Sequence, residues 1–196
     1  NRGSIYWQEK NFQATINDLE KAKSLNPALA AQVQPVIDEA TALLKEPAEP
    51  LGWLFASATA LGDKLGPVLF QLPPNLKKDA ERLRGFLACL PEGALASVEF
   101  RHPSWFDEET YALLRERGVA LCISDEGEGE AATPFVSTAG YGYLRLRREN
   151  YTDMELGAIA KQVAAQTWSA VYAYFKHEEG APPLARRLRT TLESAA

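Results

Sequence analysis

The sequence predicts an α/β fold: a partial TIM-type barrel of five parallel strands with helices, preceded by an all-α helical hairpin. Three observations carry this. Beyond residue 50, short apolar runs alternate with amphipathic helical segments, a pattern that argues for a parallel sheet with right-handed crossovers. Each run begins apolar and finishes polar: at Gln71, at Glu99-Phe100-Arg101-His102, at Asp125, at Arg145 and Arg147, and at Lys176-His177. In a parallel arrangement those finishes gather on one face, where barrels and open α/β sheets place their sites. Residues 4–45, in contrast, carry a helical rhythm and no strand pattern.

Composition narrows the classes. The 196 residues suit one or two domains, with 46% hydrophobic and 24% charged residues in an ordinary globular balance. A net charge of −5 offers no broad footprint for nucleic acid. The N-terminal residues carry no signal-peptide pattern, and no apolar run is long enough to cross a bilayer. A soluble cytoplasmic protein without membrane contact is expected. Cys89 and Cys122 sit among apolar neighbours and read as buried, reduced thiols. The chain starts at Asn1 and its only methionine is Met154, so a processed product or a piece of a longer chain is expected.

In chain order, residues 4–26 form an amphipathic helical segment, with Ile16, Leu19 and Ala22 on one face. Asn26-Pro27 ends it. A second helix fits Ala28 to Lys45, striped by Val33, Ile37, Ala40 and Leu44. Counting back from Pro27, Ala22, Leu19, Ile16, Phe12, Tyr6 and Gly3 resemble the second half of a tetratricopeptide repeat, with Thr15 a mild departure. One unit cannot bury its own face. This part is read as the tail of a repeat array closed by residues 28–45, with a generic hairpin as the plainer alternative. Such helices suit a protein partner. Lys45-Glu46-Pro47-Ala48-Glu49-Pro50 interrupts both periodicities, so the boundary falls near 47, giving domains of 1–46 and 47–196.

The second part runs as follows. Leu51–Lys64 is helical; Val68–Leu72 is a strand stopped by Pro73-Pro74; Lys78–Leu90 is a helix. Leu95–Arg101 is the next strand, stopped before Pro103, and Asp107–Arg117 is a helix capped by Gly118. Val119–Ser124 is a strand, followed by a Gly- and Glu-rich loop over 126–132. Tyr141–Leu146 is a strand and Tyr151–Gln166 a helix, opened by the capping-box pattern Thr152-Asp153-Met154-Glu155. Ala170–Phe175 is the last strand and Pro182–Leu192 the last helix, with a proline in its first turn. Side chains alternate across a strand, so Leu69 and Gln71, then Ser97, Glu99 and Arg101, then Tyr143, Arg145 and Arg147 each share a face. That face is assigned to the barrel axis, because the other must receive the helices.

Three stretches are specific enough to name a family. Leu61-Gly62-Asp63-Lys64-Leu65-Gly66-Pro67-Val68-Leu69-Phe70-Gln71-Leu72-Pro73-Pro74, Glu99-Phe100-Arg101-His102-Pro103-Ser104-Trp105, and Val171-Tyr172-Ala173-Tyr174-Phe175-Lys176-His177-Glu178 resemble, in order, signatures of the YecE-like family, a domain of unknown function. The resemblance covers about residues 47–193 and implies strands four to eight of a TIM-type barrel. The family's first three strands have no counterpart here. An open five-stranded wedge leaves two edges and an unclosed interior, so self-association is expected. The resemblance carries over Gln71, Glu99, Arg101, His102, Trp105, Asp125, Arg145, Lys176 and His177 as candidate site residues, and brings no reaction with them.

Chemistry sorts these candidates. Glu99, His102, Asp125 and His177 are the acid/base candidates, Glu99 first, because a carboxylate in a partly closed pocket is tunable. The plainer reading of Glu99 is a structural ion pair. Gln71, Arg101, Trp105, Arg145 and Lys176 are the ligand-binding candidates; with Arg147 and Arg148 the cations suit a phosphate or carboxylate, or else form a solvated rim. Trp105, Tyr143 and Tyr174 suit ring stacking or plain packing. No tight metal-ligand motif, phosphate loop or nucleophile elbow is present, and neither a metal nor a cofactor is expected. Two functions remain: a barrel that binds a small anionic, phosphorylated or sugar-like ligand or works on it by acid/base chemistry, and a non-catalytic interaction or assembly module.

Overall fold

Glycine, proline and capping side chains set the boundaries of the elements before packing does. The computed structural model describes residues 47–125, 133–176 and 180–195. In chain order these form α1 (Ala48–Ala58), a 3-10 segment (Thr59–Lys64), β1 (Val68–Gln71), α2 (Ala80–Ala88), β2 (Ala96–Glu99), a 3-10 turn (Pro103–Trp105), α3 (Glu108–Glu116), β3 (Ala120–Asp125), β4 (Tyr141–Leu146), α4 (Asp153–Ala164), β5 (Ala170–Phe175) and α5 (Ala181–Ala195). Asp107 caps α3 by accepting from the Thr110 N–H at 2.9 Å. Gly118 follows α3 at φ +62°, the left-handed conformation that ends helices and that glycine adopts without a Cβ clash. Thr152 and Glu155 close the expected capping box on α4. The tetratricopeptide-like residues 1–46 and the Gly- and Glu-rich loop lie outside the described residues.

The described chain divides into two compact units. One holds residues 47–65 and 81–91, with Leu51, Phe55, Ala58, Leu83, Phe86, Leu87 and Leu90 buried. The other holds residues 66–80 and those from 92 onward, and contains the sheet.

The sheet has five strands in the order β1-β2-β3-β4-β5, and every pair is parallel. Sequential strands therefore neighbour each other throughout, which is the barrel-wall topology expected from sequence. β1 and β2 pair from Val68↔Ala96 to Gln71↔Glu99, and β4 and β5 from Tyr141↔Ala170 to Leu146↔Phe175. β2 and β3 share only Ser97↔Ala120 and Val98↔Leu121. Side chains supplement that short seam. The Tyr141 hydroxyl accepts from the Ala96 N–H at 2.8 Å and donates to the Ala96 carbonyl at 2.6 Å. The Thr138 hydroxyl accepts from the Leu121 N–H at 2.7 Å and donates to the Val119 carbonyl at 2.8 Å.

The two faces of the sheet differ in composition. On the outer face, Ile123, Leu144 and Leu146 pack with Leu156, Ala160 and Val163 of α4 and Leu184 and Leu188 of α5. Trp168 is seated on Gly142, where a Cβ would fall 2.5 Å from its ring; only a residue without a side chain permits that approach. On the inner face, Ala120, Cys122, Tyr141 and Tyr143 form a smaller cluster joined by Leu69 and Tyr172. β2 is buried along its whole length, whereas the edge strand β1 is only partly buried and the edge strand β5 is partly buried, with Ala170 and Tyr174 exposed. Cys89 and Cys122 are both free thiols, the latter buried. No described helix is long and apolar enough to cross a membrane.

Candidate functional site

The alternation that sends Val98 and Leu144 outward sends Glu99 and Arg145 inward, and the two meet at the carboxyl ends of their strands. Glu99 is fully buried. Such a carboxylate is costly to bury unless cations and hydrogen bonds offset its lost hydration. Arg145 Nη1 donates to Glu99 Oε2 and, at 3.1 Å, to the side-chain carbonyl of Gln71. Arg147 Nη1 stands 3.8 Å from Glu99 Oε1. The Cys122 thiol lies 3.8 Å from Glu99 Oε2. Glu99 Oε1 is buried and accepts no hydrogen bond among the described residues.

The local electrostatics follow from this crowding. Burial lowers the pKa of the Arg101 guanidinium; Glu99 opposes that shift and Arg145 reinforces it, with a net lowering. For Arg145 burial pulls the same way, but the charge and hydrogen bond of Glu99 prevail and hold it above its usual range. Burial, and then the charge of Glu99, push the Cys122 thiol well up, which leaves it a poor nucleophile. Gln71, Glu99, Arg101 and Arg145 thus form one group, joined by Arg147 and Cys122. β3 register places Cys122 one strand from Tyr143. In the sequence Cys122 reads only as a core residue; its two-residue spacing from Ser124, which pairs with Arg145, is the signal for the inner face.

Asp125 follows Ile123 in β3 and so belongs to the opposite face from Cys122 and Ser124. Its oxygens are engaged by the β4–α4 loop. Oδ1 accepts from the Arg147 N–H at 2.8 Å, and Oδ2 accepts from the Tyr151 hydroxyl at 2.6 Å and Arg148 Nε at 3.3 Å. Arg148 continues to Glu155 Oε1 at 2.6 Å and lies over the Tyr151 ring, 4.4 Å from its centroid. Burial, followed by the bond to Asp125, pushes the Tyr151 phenol above its usual range. Asp125 therefore stands apart from Glu99, and by holding the Arg147 amide it fixes where that side chain begins. Tyr151, expected as the first residue of a helix, is a loop residue instead, because Thr152 takes the cap.

His102 and Trp105 lie in the β2–α3 loop. His102 Nδ1 accepts from the Ser104 N–H at 3.1 Å and meets the Ser104 hydroxyl at 2.8 Å. The same hydroxyl accepts from the Lys78 N–H at 2.8 Å. Trp105 is buried, stacks on Phe100 with centroids 4.7 Å apart, and donates its indole N–H to the Leu76 carbonyl at 2.8 Å. The Lys78 ammonium closes the latch on Asp107 and, at 2.5 Å, on Glu109. Trp105 directly, and His102 by way of Ser104, thus join the loop after β1 to the loop after β2. Tyr143 and Tyr174 sit as a tilted pair, 5.1 Å apart, with Tyr174 exposed. Lys176 is exposed just beyond β5, and His177 lies outside the described residues. Among the described residues no group of three His, Cys, Asp or Glu side chains is placed to hold a metal ion.

Comparison with known proteins follows the same lines. A solved DUF72 family protein from Thermotoga maritima superposes with a TM-score of 0.66 at 25% identity, over 77% of this chain and 68% of that one. A DUF72 family protein from Enterococcus faecalis superposes with a TM-score of 0.55 at 17% identity, over 67% of this chain and 62% of that one; it bears on the fold alone. The chain thus spans about two thirds of the length of these relatives. No curated protein matches it. The model of the family described as "Protein of unknown function DUF72" matches residues 23–196, starting upstream of the compositional boundary near 47. With the sheet, its strand-end residues and this match in agreement, the chain belongs to the DUF72 family.

Proposed function

We propose that the inner face of the sheet binds a small anion, a phosphate or carboxylate, at the carboxyl ends of β1, β2 and β4. One observation carries the reading: among the described residues, the guanidinia of Arg101, Arg145 and Arg147 gather around a single fully buried carboxylate, Glu99. Guanidinia bind oxyanions through paired N–H groups. Glu99 orients Arg145, Gln71 of β1 accepts from the same guanidinium, and Arg147 is the clamp arm with the looser hold on Glu99. The proton-transfer role expected for Glu99 is secondary here, because its ion pair already gives it work.

Calorimetric titration of the purified protein with inorganic phosphate and with acetate at low salt tests the reading. Binding by one of them, weakened about tenfold or more in Arg147→Gln with the near-ultraviolet dichroism unchanged, is expected. Absence of heat and of any melting shift at millimolar anion would reject it.

The exposure of the edge strands β1 and β5 relative to the buried β2 favours a second reading, assembly with another copy of this chain. Light scattering across a concentration series should then show a dimer; a monomer at every concentration sinks this reading and leaves the anion site untouched.

A further inference from the structure

The neighbours of His102 require one protonation state of its ring. The Ser104 backbone N–H donates to Nδ1 at 3.1 Å. A backbone N–H can only donate, so Nδ1 carries no proton and the ring is neutral. This bond caps the 3-10 turn Pro103–Trp105. The Ser104 hydroxyl, 2.8 Å from the same nitrogen, accepts from the Lys78 N–H. Trp105, at the far end of the turn, donates to the Leu76 carbonyl. The capped turn therefore carries both partners that Leu76 and the Lys78 amide use in the loop after β1. Gln71 and Glu99 stand at the strand ends that lead into these two loops.

A proton added at Nδ1 makes that nitrogen a donor. The Ser104 hydroxyl can turn and accept from it, but the Ser104 N–H cannot, and the turn loses its cap with two N–H groups facing each other. We infer that this latch is a proton-operated switch: neutral His102 holds the two loops together at the rim of the candidate site, and protonated His102 loosens them. The switch needs no ligand and stands apart from the anion-binding reading. The other charged groups around the latch are Arg101 on the same strand end, Lys78 from the loop after β1, and Asp107 and Glu109 at the cap and first turn of α3. The bonds to Asp107 and Glu109 raise the Lys78 ammonium above its usual range, and the bond from Lys78 holds the Asp107 carboxyl below its own. That ion pair therefore keeps its charges where an imidazole changes its own, between pH 5 and 8.

Hydrogen exchange of the full chain, read by NMR and corrected for the unstructured rate at each pH, tests the switch. Protection of the Lys78 amide and of the Trp105 indole N–H should fall about fivefold from pH 8 to pH 5, the weight of one hydrogen bond. The midpoint should coincide with the titration of the His102 ring protons. His102→Asn should remove the fall, because its side-chain oxygen accepts from the same amide and does not titrate. His177→Asn, which alters the only other histidine, should leave the fall in place. Unchanged protection in the parent chain while the His102 ring titrates overturns the switch. So does an equal fall in His102→Asn, or a midpoint that follows the His177 ring. The parent chain alone yields the first and last of these outcomes, so a His102→Asn chain that fails to fold leaves the test decisive.

Discussion

Glu99 and Asp125 are carboxylates at the ends of neighbouring strands, and they differ in what their oxygens are left to do. Asp125 faces outward and both of its oxygens accept from the β4–α4 loop. Glu99 faces inward, fully buried among guanidinia, and one of its oxygens accepts nothing among the described residues. Both belong to ion-paired networks, so charge alone does not separate a structural carboxylate from one in a site. Unused acceptor capacity does, because a structural network is completed by its own residues.

Substitutions at these positions can break that distinction. Glu99→Ala has the largest expected effect. It leaves Arg145 part-buried without its counter-charge, and removing one partner of a buried pair costs about 3–5 kcal/mol. Urea unfolding should show this as a lowered midpoint with an unchanged slope. A loss within 0.5 kcal/mol would mean that the pair contributes little and that Glu99 is not held as described. Asp125→Ala should cost less, about 2 kcal/mol, through the hydrogen bonds of Tyr151 and Arg148. It should also weaken phosphate binding only a few-fold, since Arg147 loses its anchored amide but keeps its guanidinium. Loss of binding as complete as in Arg147→Gln would erase the difference between the two carboxylates.

The smallest effect is a pH dependence on the outer side. The Thr152 N–H, the Arg148 guanidinium and the Thr152 hydroxyl hold the Glu155 carboxyl down to about 2, from an ordinary 4.5. A carboxylate with a depressed native pKa stabilises fully above its unfolded value and loses that contribution as pH falls toward the native one. The Glu155 contribution is therefore complete above pH 4.5 and fades between 4.5 and about 2. Glu155→Gln should flatten the stability profile in that window and leave neutral-pH anion binding unchanged. A profile identical to that of the parent chain in that window would remove Glu155 from the outer network.

Much of this fold is legible in the sequence because its punctuation is local. Tyr141–Leu146 and Ala170–Phe175 coincide with the expected strands, and Thr152-Asp153-Met154-Glu155 forms the box its pattern describes. Alternation alone brings Gln71, Glu99, Arg101 and Arg145 to one face. Asp125 shows where two sequence signals conflict: its strand-end position groups it with Glu99, while its parity with Ile123 sends it outward. His102 and Trp105 show a different limit. Leu76, the partner of Trp105, precedes it by 29 residues, and Lys78, which reaches His102 only through Ser104, precedes Ser104 by 26; both lie across a helix and a strand, and no local pattern announces that two loops will latch.

The seam between β2 and β3 has a consequence for the order in which the sheet assembles. The Ala96 backbone is completed by Tyr141, 45 residues further along the chain. β2 and β3 are neighbours in sequence, yet their junction stays unfinished until β4 has arrived to lend its phenol. An intermediate holding β1 to β3 alone would leave that backbone to water. The central strands thus gain their hydrogen bonds as a set, and the cost of closing the longer loop falls before the reward.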